Sequence, residues 1–365
     1  MELPTLESLG SVAGKSVLVR SNLNVPIENG VIQDEFRLQQ SIPTWQWLVD
    51  NGARVTVCAH LGRPKGRVVP ELSLEPVRKR VAELIADVEV LENVRFDPGE
   101  EKNDPQTVAR LIEGQDLFVL DAFGDSHRSH ASVVGPAEHL PSAAGLLMSR
   151  EVEQLGALLE GPEKPFVAFL GGAKVSDKIG VIDSLLHKVD TLIIGGAMSY
   201  TFLRAMGHGI GNSLLQEDHL DYCRRLLDSG KRIDIPVDFV VANEAGDVQV
   251  VGREIPDGYE GFDIGPKTRV RYGQEANTAA TVFWNGPMGR FEDERFAEGT
   301  RSLATAVAKS SATTVIGGGD VVSAVNSFGL ADQMSFVSTG GGASLEFIEQ
   351  GTLPGIRALQ ENAKR

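Results

Sequence analysis

Four glycine-rich turns in the second half of the chain each close a short apolar run, and this pattern restricts the fold more than any other feature. The runs and turns are Pro165-Phe166-Val167-Ala168-Phe169-Leu170 before Gly171-Gly172, Leu192-Ile193-Ile194 before Gly195-Gly196, Val315-Ile316 before Gly317-Gly318-Gly319-Asp320, and Thr339 before Gly340-Gly341-Gly342. Runs of this length read as strands buried on both faces, which is how parallel sheets look in sequence. The first half repeats the theme with Ser16–Arg20, Arg54–Ala59 and Asp116–Leu120, and helical patterns at Arg37–Asp50 and Leu72–Ile85 lie between strands. Strands alternating with helices give an α/β fold. A chain of 365 residues exceeds one ordinary core, so two domains are expected. An amphipathic helix from Ala143 to Leu159 precedes Gly161-Pro162-Glu163-Lys164-Pro165 and places the boundary near it.

Composition removes several function classes. The net charge of −15 argues against nonspecific binding to nucleic acid or an acidic membrane, while leaving room for a local basic pocket. The two cysteines, Cys58 and Cys223, make no disulfide framework. The N-terminus carries no secretory pattern and no apolar run reaches the ~18 residues of a membrane span, so a cytoplasmic protein is expected.

Gly171-Gly172-Ala173-Lys174-Val175-Ser176-Asp177-Lys178 reads as a phosphate cradle, with glycines that let backbone N–H groups approach an anion at the start of the next helix. Lys174 and Lys178, four apart, are expected on one helical face. Gly317-Gly318-Gly319-Asp320 joins a backbone anion site to a carboxylate suited to Mg²⁺ on nucleotide phosphates, although a tight turn with Asp320 as N-cap explains it equally well. Asn285-Gly286-Pro287-Met288-Gly289, with Glu292 soon after, is open to a turn reading too. In the first half, basic and polar residues gather at strand ends: Arg20-Ser21-Asn22-Leu23-Asn24, Arg37, His60-Leu61-Gly62-Arg63, Arg95 and His127-Arg128-Ser129-His130. Strand ends are where open α/β sheets bind ligands, and converging arginines need an anion to neutralise them. His127 and His130 lack a neighbouring Cys or acid to complete a zinc set. Gly14-Lys15-Ser16 is no P-loop, because the required upstream glycine position is Leu9 and a strand follows. An anion-binding half and a nucleotide-like half imply phosphoryl transfer with closure. A dinucleotide-dependent dehydrogenase is disfavoured, since no Gly-x-Gly-x-x-Gly opens a helix with a downstream acid.

At this point the chain resembles the phosphoglycerate kinases. The resemblance runs through Arg20–Pro26, His60–Gly66, Leu91–Phe96, Gly171–Lys178, Trp284–Pro287, Gly317–Asp320 and Ser338–Ser344. It implies two Rossmann-like, doubly wound parallel-sheet domains joined by a helix and hinge: 1–155 for phosphoglycerate, 156–350 for nucleotide, and 351–365 returning to the first. The implied reaction is reversible transfer of the acyl phosphate of 1,3-bisphosphoglycerate to ADP with Mg²⁺, by a monomer. On the same basis Asn22, Leu23, Asn24, Arg37, His60, Leu61, Gly62, Arg63, Arg95, His127 and Arg128 would hold the phosphoglycerate. Gly171, Lys174, Lys178, Gly195, Gly196, Gly261, Asn285, Glu292, Gly318, Gly319, Asp320, Val321 and Gly341 would surround ATP or ADP, with Asp320 on the metal and Glu292 on the ribose. Arg37, Lys174 and Lys178 are the expected catalytic cations.

Several positions depart from the family pattern. Asn22 stands for an aspartate, and Asp125 for a small neutral residue, where it is expected to pair with an arginine and weaken the anion site. Val321 replaces a hydroxyl residue, Arg290 a small apolar one near the nucleoside, and Ala197 a third glycine. Only Ala86 and Asp87 separate the helix ending near Ile85 from the strand Val88–Leu91, so the N-terminal sheet is expected to be one βα unit short. The alternative to an active kinase is a diverged paralogue that acts on another small carboxylate or binds nucleotide in a regulatory role.

Overall fold

The computed structural model describes residues 2–364. The chain divides into two compact units, Met1–Glu153 with Gln350–Arg365, and Gln154–Glu349.

The first unit carries β1 (Ser16–Ser21), a small hairpin of β2 (Ile27–Glu28) and β3 (Val31–Ile32), then β4 (Arg54–Cys58), β5 (Val88–Val90), β6 (Leu117–Asp121) and β7 (Ser142–Ala144). Five of these form a sheet in the order β5-β4-β1-β6-β7, and every pairing in it is parallel. Its helices are α1 (Phe36–Asp50), α2 (Glu75–Leu84) and α3 (Pro105–Ile112), with α4 (Leu146–Glu160) running across the division of the chain. Val17, Val19, Val55 and Val57 pack with Trp45 and Leu48 of α1 and with Val77 and Val81 of α2. The strands are apolar almost throughout because both sheet faces are covered. Ala143 and Ala144, expected to open the long helix, instead belong with Ser142 to the edge strand β7; these small side chains are buried and the helix begins only at Leu146. The helix expected from Leu72 starts at Glu75. The crossover from β4 to its neighbour β5 is made by α2 itself, and Asp87, at φ +63°, turns the chain directly into β5.

The second unit contains β8 (Phe166–Leu170), α5 (Ile179–Leu185), β9 (Thr191–Ile194), α6 (Met198–Ala205), α7 (Leu220–Leu227), β10 (Ile233–Asp234), β11 (Phe239–Asn243), β12 (Val248–Val251) and β13 (Tyr259–Ile264). It continues through α8 (Pro266–Thr278), β14 (Thr281–Asn285), α9 (Glu298–Lys309), β15 (Thr313–Gly317), α10 (Gly319–Ser327), β16 (Phe336–Val337) and α11 (Gly342–Gln350). Six strands make a parallel sheet in the order β10-β9-β8-β14-β15-β16, and β12-β11-β13 form a separate antiparallel sheet. The last helix, α12 (Pro354–Asn362), belongs to the first unit, where Gly355 N–H donates to Ser126 O at 2.9 Å and Asn362 Oδ1 accepts from Ser142 N–H.

In both sheets the strand order reverses next to the first strand. In the first unit the chain winds outward from β1 through β4 and β5, then returns to β6 on its other side; in the second it winds from β8 through β9 and β10, then returns to β14. Such a reversal parts the two following loops at the carboxyl ends of the strands and opens a crevice there. Among the described residues no helix is long and apolar enough to cross a membrane.

Candidate active site

At the crevice of the second unit lies a cleft of about 280 Å³, lined by residues from four glycine-bearing segments: Gly172, Ala173, Lys174, Asp177 and Lys178 after β8, Asn285 and Gly286 after β14, Gly318 to Val321 at the start of α10, and Gly341, Gly342 and Leu345 at the start of α11. The β8 and β14 loops are locked together. Gly171 N–H donates to Asn285 O at 2.8 Å and Gly172 N–H to Pro287 O at 3.0 Å. Gly286, at φ +84°, sits so close to Gly171 that a Cβ would lie 2.4 Å from its carbonyl oxygen. Only glycine fits that approach, and the interlock aims both loops at one space.

Lys174 and Lys178 both reach this cleft, but not from a helix face. Residues 171–178 are loop and turn, closed by Lys178 N–H to Val175 O at 2.9 Å, and α5 begins only at Ile179. Gly172, at φ +101°, directs the backbone away from helix, so the four-residue spacing is met by a turn. Lys178 Nζ donates to Asn285 Oδ1, whose amide in turn donates to Gly317 O at 2.6 Å. Burial pulls the Lys178 ammonium below its usual pKa, with Asp177 and Asp320 partly offsetting it. The cation therefore stands half-buried at the base of the cleft, opposite the amino ends of α10 and α11. Unpaired N–H groups at helix starts favour negative charge, so two such ends and two lysines form an anion site. Gly318 occupies the N-cap position of α10; Asp320 falls in its first turn with an exposed carboxylate, so it is not the cap.

Other residues expected around a nucleotide stand elsewhere. Gly195 backs onto Met288 Sδ, 2.2 Å from where a Cβ would be, and Gly261 backs onto the buried Tyr200 ring, so these glycines serve close packing on their side-chain face. Gly196, at φ +61°, abuts Gly172 and supports the cradle from behind. Glu292 is exposed beyond the cleft. Arg290 is exposed with its guanidinium 5.9 Å from the centre of the Phe262 ring. Val321 does border the cleft, with its side chain fully buried in the core, and Ala197 has φ −67°, which asks nothing special of a side chain. Gly172, Ala173, Asp177, Gly286, Gly342 and Leu345 line the cleft without having been picked out individually. All but Leu345 stand within the quoted motifs, which was their signal; Leu345 follows directly after one of them.

In the first unit, β1 and β6 pair with Ser21 opposite Asp121, so the segments after them leave the sheet side by side. A relay of hydrogen bonds ties the expected anion ligands together. Arg37 Nη1 donates to Asn24 O, Asn24 Oδ1 accepts from Gly62 N–H at 2.9 Å, and Gly62 O accepts from Arg95 Nη1 at 2.8 Å. Asn22 Oδ1 accepts from Asn24 N–H at 3.3 Å, and Arg128 Nε donates to His127 Nε2 at 3.0 Å. Leu23 and Leu61 bury their side chains in the core, leaving backbone alone for a ligand. Arg63 is exposed.

Arg20, one of the strand-end arginines, and Asp125, expected to pair with an arginine, form the centre of this cluster. Arg20 is fully buried, and its Nη2 lies 3.2 Å from Asp125 Oδ2. The pairing expected of Asp125 is thus made, with Arg20. Burial would raise the Asp125 carboxyl, but its surroundings, with the guanidinium groups of Arg20 and Arg95 among them, hold it below the usual carboxylate range. The site's positive field shows equally in His130, which burial and then Arg95, Arg128 and Arg20 bring down to about 4. His60, Arg95 and His130 are each lowered by burial first and by neighbouring arginines after it, a local field that suits an anion.

The sequence matches the family model described as phosphoglycerate kinase over residues 6–351. The phosphoglycerate kinase of Clostridium perfringens is 48% identical over 391 aligned positions, covering 98% of each chain, and that of Rubrobacter xylanophilus is 48% identical over 376, covering 95% of this chain and 96% of that protein. Since 391 positions exceed the 365 residues here, at least 26 fall opposite gaps in this chain, about the size of one βα unit. Among solved structures, phosphoglycerate kinase from Coxiella burnetii superposes with TM-score 0.91 at 39% identity, covering 99% of this chain and 100% of that one. The enzyme from Pyrococcus horikoshii gives 0.86 at 30% identity, with the same coverage. Two doubly wound parallel sheets, each with basic residues at its reversal of strand order, together with these matches, place the chain in the phosphoglycerate kinase family.

Proposed function

We propose that the chain catalyses reversible, Mg²⁺-dependent phosphoryl transfer between 1,3-bisphosphoglycerate and ADP, giving 3-phosphoglycerate and ATP in glycolysis. The observation that carries this reading is the cleft after β8 and β14, where Lys174, Lys178 and two helix amino ends converge on a space of phosphate-binding character. Nucleotide phosphates would lie there, against Gly171, Gly318, Gly319, Val321 and Gly341. Asn285 would keep Lys178 aimed at the migrating group. The nucleoside would extend past Gly195, Gly196 and Gly261 towards Glu292.

Phosphoglycerate would occupy the first unit, its charge met by Arg37, Arg63, Arg95, His127 and Arg128, with Asn22, Asn24, His60 and the Leu23, Leu61 and Gly62 backbone orienting it. A phosphoryl group in flight needs placement and neutralisation more than covalent help. Arg37 would supply the charge from the acceptor's side, and Lys174 and Lys178 from the nucleotide's. No three His, Cys, Asp or Glu side chains cluster as a metal cage among the described residues. The exposed Asp320 carboxylate suits an ion that takes its other ligands from phosphate oxygens and water, as Mg²⁺ does. When bound, Mg²⁺ would neutralise charge on the nucleotide phosphates.

The Asp125 carboxylate within the basic cluster favours a second reading, a diverged relative acting on another small carboxylate or binding nucleotide without turnover. A coupled assay with 3-phosphoglycerate, ATP and Mg²⁺ separates them. Turnover that requires all three supports the kinase; nucleotide-induced stabilisation without turnover supports the second reading. We further infer a cytoplasmic monomer that binds neither nucleic acid nor membrane, and sedimentation at one chain's mass would agree.

A further inference from the structure

Arg20 makes four contacts at once. Its Nε donates to Ser132 Oγ at 2.8 Å, Nη1 donates to Ser21 O, and Nη2 lies 3.2 Å from Asp125 Oδ2 and 3.1 Å from His60 Nδ1. Ser132 is itself held, its hydroxyl donating to Glu100 Oε1 at 2.6 Å and its N–H to Glu100 Oε2 at 3.0 Å. The guanidinium is therefore fixed from three sides before it meets the imidazole.

A guanidinium only donates, so its contact with His60 requires a lone pair on Nδ1. The single ring proton of a neutral imidazole must then sit on Nε2, which forms no hydrogen bond among the described residues. A doubly protonated ring would set Nδ1–H against Nη2–H at 3.1 Å. Asp125 Oδ1, 3.5 Å from Nδ1, is the farther partner, and the carboxylate's nearer role is to hold Arg20 by charge, as an ion pair at 3.2 Å in which Oδ2 makes no hydrogen bond. We propose that Asp125 is a positioning residue: through Arg20 it fixes His60 as the Nε2–H tautomer, so that the imidazole meets the anionic ligand of the first unit as a hydrogen-bond donor. The groups facing the ring are Arg20 from β1, Asp125 from the turn after β6 and Arg95 from the turn after β5; burial first, then the two arginines, lower the ring's affinity for a second proton, against Asp125, which raises it. The identity of that ligand rests on the function proposed above; the tautomer does not.

The test is a two-bond ¹H–¹⁵N spectrum of the full chain with labelled histidine, with the His60 resonance identified by its loss in His60→Gln. The parent should show Nε2–H, and Asp125→Ala should show Nδ1–H or a mixture. Asp125→Asn, which keeps the shape of the side chain but loses the charge paired with Arg20, should shift the tautomer less than Asp125→Ala does. In turnover, Asp125→Ala should raise KM for 3-phosphoglycerate by about tenfold, the worth of one hydrogen bond to a charged group, while KM for ATP stays put and Asp125→Asn, which lacks the paired charge, restores only part of the loss. Nδ1–H in the parent would overturn the proposal, as would an Asp125→Ala protein with unchanged tautomer or with both KM values raised together. Should Asp125→Ala not fold, the parent spectrum decides alone. Absence of phosphoglycerate turnover in a parent that shows Nε2–H would sink the substrate reading and leave the positioning role supported.

Discussion

Gly286→Ala probes the interlock on which the nucleotide cleft depends. The methyl group would fall 2.4 Å from Gly171 O, 2.5 Å from Gly171 C and 3.0 Å from Gly172 N, all backbone atoms. Neither side can retreat cheaply, because β8 and β14 are paired from Phe166↔Thr281 to Leu170↔Asn285 in the centre of the sheet. Holding a non-glycine residue at φ +84° costs about 1–2 kcal/mol, and forcing an extra carbon into a close-packed site about 1–3 kcal/mol. The sum, about 2–5 kcal/mol, corresponds to a melting point lower by about 5–15 °C for a unit of this size. Separating the loops also withdraws Asn285 from Lys178, so KM for ATP should rise about tenfold or more. Gly273→Ala is the control. Its Cβ would meet only Ala306 Cβ at 3.6 Å inside α8, and it should raise stability by about 0.5–1 kcal/mol without touching KM. Scanning calorimetry and steady-state kinetics on the three proteins decide the matter. A Gly286→Ala protein that melts within about 1 °C of the parent and keeps its KM for ATP would refute the interlock.

Three further outcomes follow from the same structure. Burial raises the Asp121 carboxyl to about 7, and its Oδ2 has no hydrogen-bond partner. The folded state thus binds this proton more tightly than the unfolded chain, giving stability that is complete below the unfolded pKa and lost as pH rises through about 7. Asp121→Asn should therefore gain on the parent in melting temperature between pH 5 and pH 8, and equal pH slopes in the two would contradict this. Cys58 and Cys223 are fully buried, with thiols pushed up to about 12 by burial, so a thiol reagent should label neither until denaturant is added; labelling of native protein would speak against the packing. Asn285→Ala leaves the Lys178 ammonium and Gly317 O without their partner and should lower kcat/KM for ATP by about 10- to 100-fold, with KM for 3-phosphoglycerate unchanged as the discriminating readout.

The parallel strands were legible because a sheet covered on both faces leaves little choice of residue: β8 and β14 are buried at every position, and so their runs stand out. The glycine turns were legible for the same reason, since each ends such a run. The antiparallel β11-β12-β13 sheet escaped notice; β12 is mostly exposed, and although its hairpin with β11 is local, β11 is completed by β13 farther along the chain. Ala143 and Ala144 misled because two small residues fit a helix until their pairing with β6 is known. Lys174 and Lys178 share a cleft as their motif suggested, yet a turn brings them there. What sequence could not supply was the far side of each glycine. Gly195 and Gly261 read as ligand-facing until Met288 and Tyr200, distant in the chain, are found packed on them. Arg20 was likewise one arginine among several until its burial and its pairing with Asp125 and Ser132 set it apart.

The central claim is that two strand-order reversals hold two different ligands. Isothermal titration of the parent, Arg37→Ala and Lys174→Ala with Mg–ADP and, separately, with 3-phosphoglycerate tests it most directly. The account predicts a crossed result: Arg37→Ala loses phosphoglycerate affinity and keeps that for nucleotide, and Lys174→Ala does the reverse. Loss of both ligands in either variant, or of neither in both, would contradict it.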